Sequence, residues 1–328
     1  MTTRRNVIQF LLGFGLIAAL GAAIYLLRPR PPVPSGWQII RPPAEVMALA
    51  DAGDVIWAGG RDGLVQIDRA TGTVKAPPEA LRFSYVTSII LENNSQDVWV
   101  GHSAGVSHMG PQGLETFTTR DGLPDNQVKA LIRTRNGDLW AGTAHGLGVL
   151  RAGKWEVYTR ADGLASEAVT VLFEDSRNRL WAGDCLPKAG GLSMLEGSTW
   201  RIFTTADGLA HNSVCDILED PAGILWFGTG LGSRGGATRY DGQTWYTLTP
   251  ADGLEEFRVR SLFIDRQGGR WFGSESAGIV LLDGGAPRLF SPQNGLSGWE
   301  VITMLQDSQG DLWFGTENGL TRIRQGFW

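Results

Sequence analysis

Leu139-Trp140-Ala141-Gly142-Thr143, with Gly146-Leu147 close behind, is a phrase that this chain repeats seven times. It returns as Ile56-Trp57-Ala58-Gly59, Val98-Trp99-Val100-Gly101, Leu180-Trp181-Ala182-Gly183 and Leu225-Trp226-Phe227-Gly228-Thr229. Arg270-Trp271-Phe272-Gly273 and Leu312-Trp313-Phe314-Gly315-Thr316 complete the set. The seven tryptophans stand 42, 41, 41, 45, 45 and 42 residues apart. A self-similar period of about 40–45 residues marks stacked supersecondary units, and in a strand-rich chain it points to propeller blades.

The third unit shows the pattern most fully. Residues 128–133 alternate apolar and polar side chains as a half-buried strand does. Asn136-Gly137 makes a tight hairpin turn, and 139–143, 146–151 and 155–159 supply three more strands. Asp162-Gly163-Leu164 then leads to the next unit at Val169. The expected fold is therefore all-β, a seven-bladed β-propeller of four-stranded antiparallel blades over residues 36–328. The last unit stops at Phe327-Trp328 one strand short, while Gly36-Trp37-Gln38-Ile39-Ile40 stands as a surplus strand before the first. That surplus strand is expected to complete blade seven and close the ring, which removes a free sheet edge.

Ahead of the repeats, residues 1–6 form a short tail with Arg4 and Arg5. Residues 7–27 are uncharged, with Gln9 the one polar side chain, and at helical rise they reach about 30 Å, the thickness of a bilayer core. The run is too long for the apolar part of a secretory signal and continues past Ala19-Leu20-Gly21, so an uncleaved transmembrane signal anchor is the preferred reading. Arginines flank both ends, so charge does not set the orientation. Residues 28–35 carry RPRPPVP, an extended, semi-rigid spacer. Net charge is −5 across 328 residues with both signs scattered, and no basic patch suggests nucleic acid.

In Trp-x-Gly the tryptophan and the glycine face the same side of a strand, a knob beside a gap, which suits packing between blades. Asp121, Asp162, Asp207 and Asp252, with Asn294 in their place in the sixth unit, precede Gly-Leu; Asp175, Asp220, Asp265 and Asp307 precede hairpins. Recurrent carboxylates invite a metal reading, but Asp or Asn before Gly is turn chemistry. No cofactor is expected.

The units "V..L..D..G.LW.GT..GL" and "W..YT..DGL" resemble the two-component regulator propeller repeats. Those repeats form the extracytoplasmic sensing part of hybrid histidine kinases and also occur in propeller proteins without a kinase. The resemblance covers residues 37–328 and implies an extracytoplasmic sensory or accessory module; with the apolar run at 7–27 it would be single-pass and membrane-anchored, and the scattered histidines give no expectation of enzymatic activity. Its ligand would be a small molecule, often a glycan fragment in that family, or a protein. Nothing follows blade seven, so an output is expected to need a partner. A looser similarity is to streptogramin lyases, which share a Trp-Phe strand phrase and use a histidine and acidic residues around a magnesium ion. A structural scaffold for a protein complex is the remaining alternative.

Residues outside the repeat phrase are the site candidates, because the scaffold does not need them. The loops that pass to the next blade contribute Tyr85, Asn126, His211, Glu256, Phe257, Arg258, Trp299 and Glu300. Aromatics with acids and amides beside them suit a sugar or another polar organic ligand at the channel mouth. The competing reading is that Phe257 and Trp299 form a hydrophobic lid. His211 with Glu256 is the one His–Glu combination on neighbouring passing loops, and no close-spaced metal pair occurs. Cys185 and Cys215 fall near the same face; a disulfide is open to them, and so is a role for Cys215 as a small core residue.

Overall fold

The computed structural model describes residues 32–77, 81–92, 97–186 and 190–328. The expected membrane span at residues 7–27 lies outside the described residues. Among those described, no helix is long and apolar enough to cross a membrane. Residues 33–328 form one compact unit of seven four-stranded antiparallel sheets.

Each sheet runs outward from an inner strand, such as Val128–Arg133, through Leu139–Thr143 and Gly146–Arg151 to Lys154–Tyr158. Six blades take their four strands consecutively from the chain. The seventh does not. Its strands Val301–Gln306, Leu312–Thr316 and Gly319–Ile323 are completed by Trp37–Ile40, with Trp37 opposite Ile323 and Ile40 opposite Leu320. The closure read from the two ends of the sequence is therefore the closure the protein uses.

The seven phrase tryptophans are buried, none more than 6% exposed. Each looks toward the following blade: Trp57 packs with Val86, Val98 and Val100 of blade two, and Trp313 with Val46 and Ile56 of blade one. The gap beside each ring is filled by the valine that opens the next inner strand. A Cβ built on Gly59 would stand 2.4 Å from Val86 Cγ1, and one on Gly315 would stand 2.8 Å from Val46 Cγ1. Only glycine permits that approach, so Trp-x-Gly in one blade and Val in the next form one interlocking contact repeated around the ring.

Four aspartates do more than turn the chain. Asp175, Asp220, Asp265 and Asp307 each take two backbone N–H groups of their own hairpin on Oδ1 and the indole N–H six residues on with Oδ2. The Trp181 bond is 2.8 Å and the Trp271 bond 2.7 Å. A buried indole N–H needs an acceptor, and the same carboxylate that fixes the turn supplies it.

Four of the five Asp-Gly-Leu or Asn-Gly-Leu elements are one-turn 3-10 helices, and the fifth, ending at Asp207, is a turn with the same Thr204-to-Asp207 cap. In the first, Thr118 caps from its hydroxyl while Asp121 Oδ2 accepts the Thr118 N–H at 2.9 Å, and Gly122 closes it at φ 101°. The following leucines, Leu123, Leu164, Leu209, Leu254 and Leu296, are buried between blades. The recurrent carboxylates are thus capping groups, as turn chemistry predicts.

Candidate functional site: the wall of the central channel

A cavity of about 1030 Å³ runs among the innermost strands. Its wall is set by a device that the repeat phrase conceals. The opening valines Val46, Val86, Val128, Val169, Val214, Val259 and Val301 are all buried, committed to the preceding blade. The next residue cannot continue the ladder. In blades one, three, five, six and seven the register slips after the valine, a β-bulge that leaves Met47, Lys129, Cys215, Arg260 and Ile302 unpaired. A bulge kinks the strand and re-aims one side chain. In blades two and four Thr87 and Thr170 hold the same position immediately before the strand, their N–H groups donating to Gly101 and Gly183. All seven of these residues line the channel.

The chemistry of the wall concentrates where blades four to seven meet. Arg260 donates from Nε to Glu300 Oε1 at 2.9 Å and from Nη1 to Cys185 Sγ at 2.8 Å. Cys185 and Cys215 form a disulfide with a Cα–Cα distance of 4.4 Å, and both line the cavity. Asp216, next to Cys215, accepts the N–H of Leu262 at 2.7 Å and of Ile217 at 2.8 Å. Burial pushes the Asp216 carboxyl up to about 6, against the pull of those N–H groups and of Arg260. Glu300 is also held above its ordinary value, by burial first, with Arg260 opposing. Across the ring, Lys129 presents a half-buried ammonium to the same space.

Asp216 carries a pH signature. Because its folded pKa is raised above the unfolded value, the stability it contributes is complete below about pH 4 and is lost as pH rises through 6. Asp216→Asn stays neutral, so its unfolding free energy relative to wild type should rise by about 1 kcal/mol between pH 5 and pH 7.5. Urea denaturation at the two pH values measures this, and parallel behaviour of the two proteins would remove the buried carboxylate from the account.

Of the eight residues expected at the channel mouth, Tyr85 lines the cavity and is 45% exposed. Glu300 reaches the wall through Arg260. The other six do not line it. The reason lies in the passing loops, whose backbone is stitched to hairpins of the blade before: Gly278 donates to Trp299 O, Gly146 to Glu167 O, and Glu45 to Glu317 O. Residues two places ahead of the valine consequently sit over the previous blade. Phe257 lies with its carbonyl against Gly230 and Gly235, 37% exposed, and Trp299 is half-buried with its N–H on Glu317.

The remaining candidates are engaged in loop structure. Asn126 Oδ1 accepts the Thr119 N–H at 2.8 Å. Arg258 bridges Glu256, Glu275 and the Ser276 hydroxyl. Glu256 accepts from Ser276 N–H at 2.7 Å; burial raises its carboxyl, but those hydrogen bonds and Arg258 bring the net below the ordinary value. His211 takes the Ser213 N–H on Nδ1 at 2.9 Å and is pushed down by burial and then by Arg234. His211 is committed to its own loop and Glu256 to Arg258 and Ser276, and among the described residues no three His, Cys, Asp or Glu side chains gather as a metal site.

Three segments of the chain, residues 122–145, 208–230 and 295–318, match the model of the two component regulator propeller. No curated protein matches the sequence. Among solved structures, the extracellular domain of a hybrid two component system protein from B. thetaiotaomicron superposes with a TM-score of 0.76 at 20% identity, over 90% of this chain and 42% of that one. That of a one component system protein from the same organism gives 0.69 at 15%, over 90% and 43%. A virginiamycin B lyase from Staphylococcus aureus with quinupristin gives 0.64 at 15%, over 87% and 98%. The chain thus spans less than half the length of the two component and one component domains it matches.

Proposed function

From a propeller that carries two component regulator propeller repeats, we propose an extracytoplasmic recognition module of the sensory or accessory kind, held at the membrane by residues 7–27 and binding a small polar molecule in its central channel. One observation carries this reading. The opening valines are the same in all seven blades, whereas the residues that follow them are Met47, Thr87, Lys129, Thr170, Cys215, Arg260 and Ile302. The scaffold repeats and the wall does not, and the cavity they surround is open rather than filled. A purely structural ring has no need of an ammonium, a guanidinium and a half-buried carboxylate on its inner wall, since each costs desolvation. The extracytoplasmic placement is supported by the disulfide and by the extracellular location of the similar two component and one component domains. Binding rather than lyase chemistry is supported by His211, whose Nδ1 is spent on its own loop.

The test is a thermal-shift screen of residues 33–328 against neutral and acidic sugars, small carboxylates and divalent metals. A ligand at about a hundred times its Kd adds about 2.7 kcal/mol to stability, a shift of several degrees. It should vanish in Lys129→Ala and Arg260→Ala. A response surviving both substitutions would place the ligand elsewhere, and silence across the screen would count for a purely structural ring.

A further inference from the structure

The Cys185–Cys215 disulfide is the one covalent bond in the channel wall that chemistry can reversibly open, and its setting is asymmetric. Cys185 Sγ accepts a hydrogen bond from Arg260 Nη1 at 2.8 Å. Cys215 sits at a bulge and precedes Asp216, whose carboxylate is fixed by two backbone N–H groups. Both cysteines are half-buried and both line the cavity. The guanidinium beside the Cys185 sulfur stabilises negative charge there, at one end of the bond. The two ends of the bond therefore differ as leaving groups.

We infer that the channel is a site of thiol exchange, in which a low-molecular-weight thiol is captured as a mixed disulfide on Cys215. The thiolate of the incoming thiol attacks Cys215 Sγ along the S–S axis. The Cys185–Cys215 bond breaks as the new S–S bond forms, and its electron pair leaves on Cys185 as a thiolate held by Arg260. The proton lost by the thiol goes to solvent. A second thiol equivalent attacks the captured sulfur, releases the symmetrical disulfide of the thiol and leaves Cys215 as a thiolate that water protonates, so two thiols are oxidised as the protein disulfide is reduced. While the mixed disulfide lasts, the thiol's substituent occupies the channel between Arg260 and Thr170, whose hydroxyl accepts the Cys185 N–H at 2.8 Å. This capture does not depend on the polar ligand proposed above, and it is read by a covalent mass change rather than by thermal shift.

Reduced glutathione is the probe. The native full chain is incubated with it, quenched with acid, alkylated and mapped by mass spectrometry. The expected result is a glutathione adduct on Cys215 with the alkylating group on Cys185, in excess of the opposite arrangement. Arg260→Gln should slow adduct formation about tenfold and even out the two arrangements, while in urea the two proteins should react alike. Arg260→Lys should keep the preference for Cys215. An adduct mainly on Cys185 in the wild-type protein, or reaction only once the chain is unfolded, would overturn the assignment. So would equal rates and equal arrangements in Arg260→Gln and wild type.

Discussion

Removal of residues 36–41 should lower the melting temperature of the 33–328 unit by about 10 °C or more. Blade seven would lose its outer strand, and with it the four antiparallel partners Ile323, Arg322, Thr321 and Leu320. Ile40 is 4% exposed and packs with Trp313 and Leu320, while Trp37 packs against the core shared by Trp271 and Phe314. Truncating one buried residue of that size costs about 2–5 kcal/mol, and two go at once. For a unit of this size each kcal/mol is worth about 2 °C. The same deletion releases Arg41, which bonds Asn318 O and donates to Ser297 O at 3.0 Å, so both the strand and its anchor are lost. Differential scanning calorimetry reads the outcome, and a deletion that melts with the wild type would show that the ring holds without its clasp.

Asp175→Ala is the second large effect, about 3 kcal/mol at pH 7. The carboxylate is fully buried and serves four donors: the backbone N–H groups of Arg177 and Arg179, the Arg179 guanidinium at 2.6 Å and the Trp181 indole at 2.8 Å. Its removal strands an indole N–H and a guanidinium inside the blade. The loss also has a pH dependence of known sign. Burial alone would raise the Asp175 carboxyl, but Trp181, the Arg179 N–H and the Arg179 charge bring it below its ordinary value. A depressed folded pKa contributes stability present above the unfolded pKa near 4, and that stability is lost as pH falls through the folded value. The gap between wild type and Asp175→Ala should therefore be full at pH 7 and narrow below about pH 4. A gap that is constant with pH would mean that the ionised carboxylate is not what the hairpin uses.

The ring, its blade count and its closure were legible because they depend on residues that must recur. A tryptophan, a glycine two places on and a surplus strand at the front announce themselves in any one repeat, and the structure uses each as expected. The indole-to-aspartate bond was half legible: the turn role of Asp175 or Asp265 follows from the residues after it. Its second oxygen reaches an indole six positions away, which hairpin geometry alone brings near. The channel wall was the least legible. Just before the inner strand Phe257 and Trp299 stand out by chemistry. The residues that line the wall follow the valine instead, because backbone bonds such as Gly278 to Trp299 O tie the passing loop to the preceding blade. One signal was available. The invariant valine of the seven repeats is followed by a single column that reads Met, Thr, Lys, Thr, Cys, Arg and Ile in turn.

That column gives the protein something like an address. In five blades the bulge takes that position out of the ladder and turns its side chain to the channel, so a substitution there changes what the channel says. Seven such positions, each a free choice among side chains, make a short word written around a circle. Two of its letters are not independent: Cys215 is bonded to Cys185, and Cys185 to Arg260, so these must change together if the word is to be respelled. Met47, Thr87, Lys129, Thr170 and Ile302 stand outside that bond. A propeller of this design can change its ligand through a handful of point changes in that column.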